Sequence, residues 1–450
     1  MKRLPFVWVA VAVAVSASTL HAEQAPRDPE AIEARVRALL REDRWRQAVE
    51  EASGAPAALG EALFRAGRLD EVEGALAGEL ELEAPAGRSL ATLGRLRDAE
   101  GRFDEAVELM GRAVEAAPGD RDVLYWASGA TSTRAEAAAR LERYLELAEG
   151  DREERADAAS GYLRLTAELG ERQVWIPEAR PERVELPLRR IWDPATGTTQ
   201  GFVLEVGLGD KEKRVKLLLD SGSPGLYLIR RLAKKRGFKP LSEQHAYGGG
   251  GSGKHRTTRG LFSRLDIGGL RFTDVLATVN KQEMDPTGRY HGLIGLSAFG
   301  GYRVTLDLVD DRLILTPGGG ELEGEPYWTV NGQMLVRADV EGPRPGLFLF
   351  DTGATNTIVD YGLASMIENT TFGPAVALYG FGGQLPGARR VEGIELDFLG
   401  LWSEKIAPRT VDLSTRSRVS ELEISGFLGL DLFDGRRLVV DTVLRRVAVQ

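Results

Sequence analysis

Two short segments of this 450-residue chain carry residue types suited to acid–base chemistry on water. Val215 to Leu219 leads into Asp220-Ser221-Gly222-Ser223, and Leu347 to Phe350 leads into Asp351-Thr352-Gly353-Ala354. Each is an apolar strand ending in a carboxylate, a hydroxyl and a glycine. Two carboxylates held near contact cannot both ionise cheaply, so they share one proton and titrate as a coupled pair. The ionised member can take a proton from a bound water while the protonated member donates to the group under attack. Glycine at the third position permits the tight backbone path that such a meeting of loops needs. One Asp-Ser-Gly or Asp-Thr-Gly alone is usually no more than a turn, so the weight falls on the duplication.

The elements around the two segments repeat as well. Downstream of each lies a Tyr followed by glycines, Tyr247-Gly248-Gly249 and Tyr379-Gly380-Phe381-Gly382-Gly383, at Asp-to-Tyr intervals of 27 and 28 residues. Gly292-Leu293-Ile294-Gly295 and Gly426-Phe427-Leu428-Gly429 follow, their last glycines 75 and 78 residues beyond the respective Asp. Phe299, Arg303, Asp307 and Arg312 then align at one constant offset with Phe433, Arg437, Asp441 and Arg446. From about Leu186 onward, runs of Val, Ile and Leu alternate with Gly-rich turns and helical signals are few, which describes an all-β region of about 260 residues.

This paired pattern, over roughly residues 186–450, resembles the aspartic peptidases of the pepsin and retropepsin type. The resemblance implies a two-lobed fold, with Asp220 and Asp351 as the catalytic dyad. Ser221 and Thr352 would bond across the halves, flanked by Gly222, Ser223, Gly353 and Ala354. Ile294-Gly295 and Leu428-Gly429 would belong to apolar segments packed beneath the Asp loops. Tyr247-Gly248 and Tyr379-Gly380 would sit on hairpins closing over an extended polypeptide substrate, although a second closing hairpin is unusual for single-chain pepsins and a packed strand residue is the competing reading. Ala354 lacks the hydroxyl that Ser223 offers at the matching position; retroviral members carry Ala there. The spacing is closer to the retroviral type, so the region reads as two retropepsin-like halves fused in one chain. Asp307 and Asp441 read as structural.

Composition removes the competing chemistries. The chain has no Cys and four His, which leaves no thiolate nucleophile, no disulfide and little for a metal site; no cofactor is expected. Lys plus Arg number 58 against 67 Asp plus Glu, a net charge of −9, so there is no electrostatic footprint for nucleic acid. The glycine run ending at Gly253-Lys254 imitates a phosphate loop, but His255 follows and no apolar helix does. Gly295-Leu296-Ser297-Ala298-Phe299 lacks the second glycine of a nucleophile elbow. His245, His255 and His291 read as surface residues.

The first third is different. Lys2 and Arg3 precede an apolar stretch, Leu4 to Val15, and then Leu20-His21-Ala22, which reads as a secretory signal peptide over residues 1–22, too short for a membrane span. A periplasmic or secreted bacterial protein with no membrane span after cleavage is the expectation, with an uncleaved anchor as the alternative. Residues 30–171 are rich in Ala, Glu, Leu and Arg at helical spacing. Within them Leu59-Gly60 and Gly67-Arg68-Leu69-Asp70-Glu71 recur 34 residues later as Leu93-Gly94 and Gly101-Arg102-Phe103-Asp104-Glu105, which resembles the tetratricopeptide repeat. Such a stack presents a face for a peptide or a protein partner, or serves as a spacer. A Pro-containing linker over 172–190 then leads to peptidase lobes at 191–320 and 321–450. The reading is an α-helical repeat domain followed by an all-β aspartic endopeptidase. The alternative is a catalytically inactive peptide-binding scaffold using the same two domains.

Overall fold

The computed structural model describes residues 28–247, 254–280, 287–340, 345–380, 383–402 and 408–450. The leader-like segment 1–22 and Gly248 lie outside them. As expected, the chain is helical in its first part and β-rich in the remainder.

The helices run as α1 (Pro29–Arg41), α2 (Trp45–Glu51), α3 (Pro56–Arg65), α4 (Leu69–Leu80), α5 (Gly87–Ala99), α6 (Phe103–Ala116), α7 (Arg121–Ala127), α8 (Arg134–Leu147) and α9 (Glu153–Leu169). Each buries a stripe at helical spacing, such as Leu69, Val72 and Leu76 in α4 and Ala106, Met110 and Ala113 in α6. Asp120 and Thr133 cap α7 and α8 by accepting from backbone N–H groups one turn in. The 34-residue repeat has a steric basis. A Cβ on Gly60 would stand 2.4 Å from Leu76 of the next helix, and one on Gly94 would stand 3.1 Å from Met110. Gly67 and Gly101 follow α3 and α5 at φ +72° and +77°, where L side chains are strained.

The β region contains two sheets with the same central order. In the first, Leu270–Asn280, Leu226–Ile229, Gly292–Ile294, Lys211–Leu219 and Thr198–Leu208 lie side by side. In the second, Arg409–Val411, Ile358–Asp360, Gly426–Leu428, Gly346–Phe350 and Gln333–Val340 take the corresponding places. A six-stranded sheet joins the lobes through the pairing of Tyr302–Asp307 with Arg437–Asp441. Arg303 pairs with Asp441 at 2.9 Å and Arg437 with Asp307 at 2.6 Å, a reciprocal arrangement that explains why those residues recur at one offset. Asp307 and Asp441 also accept from the backbone of their own turns.

The segment 172–190 does more than link. Ile176–Ala179 adds an edge strand to the first lobe, Val184–Pro187 adds one to the joining sheet, and Arg189–Asp193 pairs with Thr198–Leu208. Pro177 sits in the edge strand and Pro187 at a strand end, where a missing N–H is tolerated.

The helices dock on the second lobe. Leu63, Phe64, Leu69, Val72 and Leu76 share one apolar cluster with Leu347, Leu349, Ile358, Leu413, Leu422 and Ile424. At its rim Glu421 is buried at φ +54°, ion-paired with Arg65 (3.1 Å), Arg95 (3.4 Å) and Arg155, and accepting from the Trp126 indole at 2.7 Å. Burial alone would raise this carboxyl, but Arg155, Arg65 and Arg95 outweigh it and hold the group far below the usual range. The repeat glycines take part: Gly67 lies against the Glu423 carbonyl and Gly101 against the Arg445 side chain.

Helix α9 reaches the first lobe as well. Leu165 and Leu169 pack on Leu261 of the hairpin formed by Lys239–Tyr247 and Lys254–Ile267. Gly161 accepts from the Gln244 amide at 2.9 Å, and Asp157 faces both Lys254 (2.7 Å) and His245 (3.2 Å).

Glu421→Gln is expected to cost about 3–5 kcal/mol in urea unfolding at neutral pH, because it strips three buried guanidiniums of their shared counter-charge. A loss under about 1 kcal/mol would contradict the anchoring role. The depressed carboxyl gives the sign with pH: its contribution is full above the ordinary value of 4.5 and declines as pH falls toward the folded value. The deficit of the variant therefore shrinks in acid.

Candidate active site

Asp220 and Asp351 stand at matching ends of matching strands. Lys211–Leu219 runs parallel to Gly292–Ile294, and the Asp220 N–H donates to the Ile294 carbonyl at 3.0 Å. Gly346–Phe350 runs parallel to Gly426–Leu428, and the Asp351 N–H donates to the Leu428 carbonyl, also at 3.0 Å. The glycine closing each supporting segment is required sterically. A Cβ on Gly295 would lie 1.9 Å from the Ser223 carbonyl oxygen, and one on Gly429 would lie 2.5 Å from the Asn356 backbone.

The two loops meet through a reciprocal network. Ser221 Oγ donates to the Phe350 carbonyl at 2.7 Å and accepts from the Thr352 N–H at 2.8 Å. Thr352 Oγ1 donates to the Leu219 carbonyl at 3.0 Å and accepts from the Ser221 N–H at 3.1 Å. Each hydroxyl thus satisfies two backbone groups of the opposite lobe, all of them buried, so none can be removed without stranding a partner. Gly222 and Gly353 face the opposite carboxyls: a Cβ on Gly222 would lie 2.6 Å from Asp351 Cγ, and one on Gly353 would lie 2.6 Å from Asp220 Cγ. Only hydrogen at both positions lets the carboxyls approach. The Ser223 hydroxyl faces the Gly225 carbonyl of its own loop at 3.5 Å.

The electrostatics of the pair are unequal. Burial first and the neighbouring Asp351 charge second push the Asp220 carboxyl well above the usual range. Burial also raises Asp351, and each carboxyl accepts from two N–H groups of its own loop, Gly222 and Ser223 for Asp220 and Gly353 (2.9 Å) and Ala354 (3.2 Å) for Asp351. Arg416 adds a positive field on the same side. The two carboxyls therefore form one coupled pair that shares a proton between the lobes.

Two residues of this site had no sequence signal. Gln333 donates through Nε2 to the Gly222 carbonyl, and its Oε1 accepts from Arg416, on the short helix Ser414–Ser420. Neither recurs at the corresponding place in the first half. The same short helix is capped at its C-terminal end by Glu421, so one element joins the helical domain to the carboxyl pair.

The hairpin candidates lie apart from this network. Tyr247 is the last paired residue of its strand, opposite Lys254. Tyr379 and Gly380 pair with Gln384 and Gly383 in a second hairpin, and the Tyr379 ring is 71% exposed, which excludes a packed core role. His291 is held below its ordinary value by burial and by nearby Lys216, Arg231, Lys213 and Arg236.

Residues 204–298 match the aspartyl protease family model. That span covers most of the first lobe, including the Asp220 loop and Gly295. No curated protein matches the chain. Among solved structures, the crystal structure of the aspartic proteinase from Irpex lacteus is similar at 12% identity and a TM-score of 0.38, covering 59% of this chain and 96% of that one.

If this protease-type site titrates as described, Arg416→Gln moves the acid inflection of its pH–rate profile upward, since the variant loses a field that favours ionised Asp351. An inflection unchanged in a folded variant would show that Arg416 serves packing only.

Proposed function

We propose that the protein is an aspartic endopeptidase that hydrolyses peptide bonds with a water held between Asp220 and Asp351. The observation that carries this reading is the mutual approach of the two carboxyls, each seated on the other lobe's glycine within a closed cross-lobe hydrogen-bond network. A scaffold that only binds peptides has no need to confine two acids where they must share a proton.

In the proposed sequence, ionised Asp351 takes a proton from water as its oxygen bonds to the peptide carbonyl carbon, and Asp220 gives its proton to the carbonyl oxygen. Collapse of the tetrahedral intermediate returns a proton to Asp220. Asp351 passes its acquired proton to the departing nitrogen as the C–N bond breaks, restoring the starting state without a covalent intermediate. The hairpins ending at Tyr247 and Tyr379 are assigned to cover the extended substrate, pairing with its backbone.

The helical array is assigned to recruiting or orienting the polypeptide. Supporting this, a cavity of about 620 Å³ lies between α5–α9 and the second lobe, lined by Tyr125, Ser132, Tyr162, Asn331 and Glu421 among others. The leader-like start of the sequence supports a periplasmic or secreted location; no helix of the described residues is long and apolar enough to cross a membrane.

Cleavage of a diverse peptide library by the protein, alongside Asp220→Asn and Asp351→Asn, tests the reading. Each substitution is expected to lower kcat by at least about a thousandfold, because neither carboxyl can act without the other. Cleavage that survives one of them would sink the shared-proton mechanism. Peptide binding without cleavage by the folded parent at every pH would favour the inactive scaffold.

A further inference from the structure

We propose that Arg259 and Arg416 form a carboxylate-recognition site beside the Asp220–Asp351 pair, so that the favoured polypeptide carries an Asp or Glu side chain close to the bond that is cut. The inference rests on the peptidase reading and names the substrate class for the same cleft.

Arg259, Thr278 and Tyr227 lie directly opposite one another on three adjacent strands, Lys254–Ile267, Leu270–Asn280 and Leu226–Ile229. Directly opposed residues share a face, so these side chains form one lateral row. The Tyr227 hydroxyl bonds to Thr278 and feels the charges of Arg259, Arg416 and Asp220, which places the row at the edge of the carboxyl pair. Two residues further along the same face, Leu261 and Leu276 are covered by Leu165 and Leu169 of α9. The helix thus closes one end of the row, and Arg259 interacts electrostatically with both Tyr162 of that helix and Tyr227.

The charges here are unbalanced. Several enclosed arginines have carboxylates: Arg65 and Arg155 pair with Glu421, Arg88 with Glu61, Arg97 with Glu73 and Arg140 with Glu136. Arg259 and Arg416 are partly buried, and among the described residues neither forms a direct ion pair, although Arg416 feels the charge of Asp351. The Arg259 Nε is buried without a hydrogen bond, and Arg416 spends one donor on Gln333. A guanidinium offers five N–H donors in a fork that matches a carboxylate. Leaving it partly buried without a direct ion pair is costly, and the carboxyls felt here, Asp351 by Arg416 and Asp220 by Tyr227, are those of the acid pair itself. An incoming carboxylate supplies what is missing.

The test uses short peptides that differ only by Asp or Glu against Asn or Gln at each position. Affinity is measured by fluorescence anisotropy with the full-length Asp220→Asn variant, and cleavage of the same set with the parent. An acid is expected to be favoured over its amide by at least about tenfold at one position, the scale of a charge-assisted bond in a partly buried site. That ratio is expected to fall to within about twofold in Arg259→Gln and to be partly restored in Arg259→Lys. An arm with free against amidated C-termini separates a side-chain carboxylate from a chain-end one; a preference confined to the free terminus overturns the side-chain assignment. Equal affinity for acid and amide at every position overturns the proposal even where the parent cleaves. An acid preference in binding from a parent that cleaves nothing upholds it and removes the peptidase reading instead.

Discussion

Two carboxyl groups pressed together across a lobe boundary set the terms for the rest of the molecule. Such contact is repulsive unless a proton is shared, and it is sterically impossible unless the residue facing each acid has no side chain. Gly222 and Gly353 meet the second condition. Ser221 and Thr352 then fix the approach by satisfying two buried backbone groups each on the opposite lobe. Beneath them the Ile294 and Leu428 carbonyls hold the Asp backbones, and Gly295 and Gly429 allow those segments to pass under the loops. Every one of these parts appears twice because the task is the same from either side.

The symmetry stops at the electrostatics. Arg416 and Gln333 belong to the second lobe alone, and their chain of hydrogen bonds ends on the Gly222 carbonyl of the first. A cation on one side makes the two acids inequivalent before any substrate arrives, favouring the ionised form of Asp351. The helix that carries Arg416 ends at Glu421, whose backbone conformation and burial are sustained by three arginines of the helical array. The helical domain is therefore packed against both lobes, through Glu421 on the second and through α9 against the hairpin of the first.

What the sequence disclosed follows from this division. The Asp loops, their hydroxyls and the supporting glycines were legible because each is a local motif with a copy at nearly equal spacing. The reciprocal Arg303–Asp441 and Arg437–Asp307 pairs left the same trace. The 34-residue helical period was legible from Gly60 and Gly94, whose packing needs are local too. Gln333, Arg416 and Glu421 left no such trace: each acts once, through partners tens to hundreds of residues away, and a lone Gln or Arg in a polar stretch looks like surface. The strands within 172–190 were hidden by prolines that read as punctuation but sit where edge strands tolerate them.

The central claim is that Asp220 and Asp351 hold a single proton between them. Carbon-13 NMR titration of aspartate-labelled protein, with the two resonances assigned through the single Asn variants, measures this without substrate. The account predicts that one carboxyl of the pair remains protonated well above the ordinary carboxylate range while the other is ionised, and that the two shifts move together in coupled steps. Two independent titrations, both complete near the ordinary value for aspartate, would contradict it.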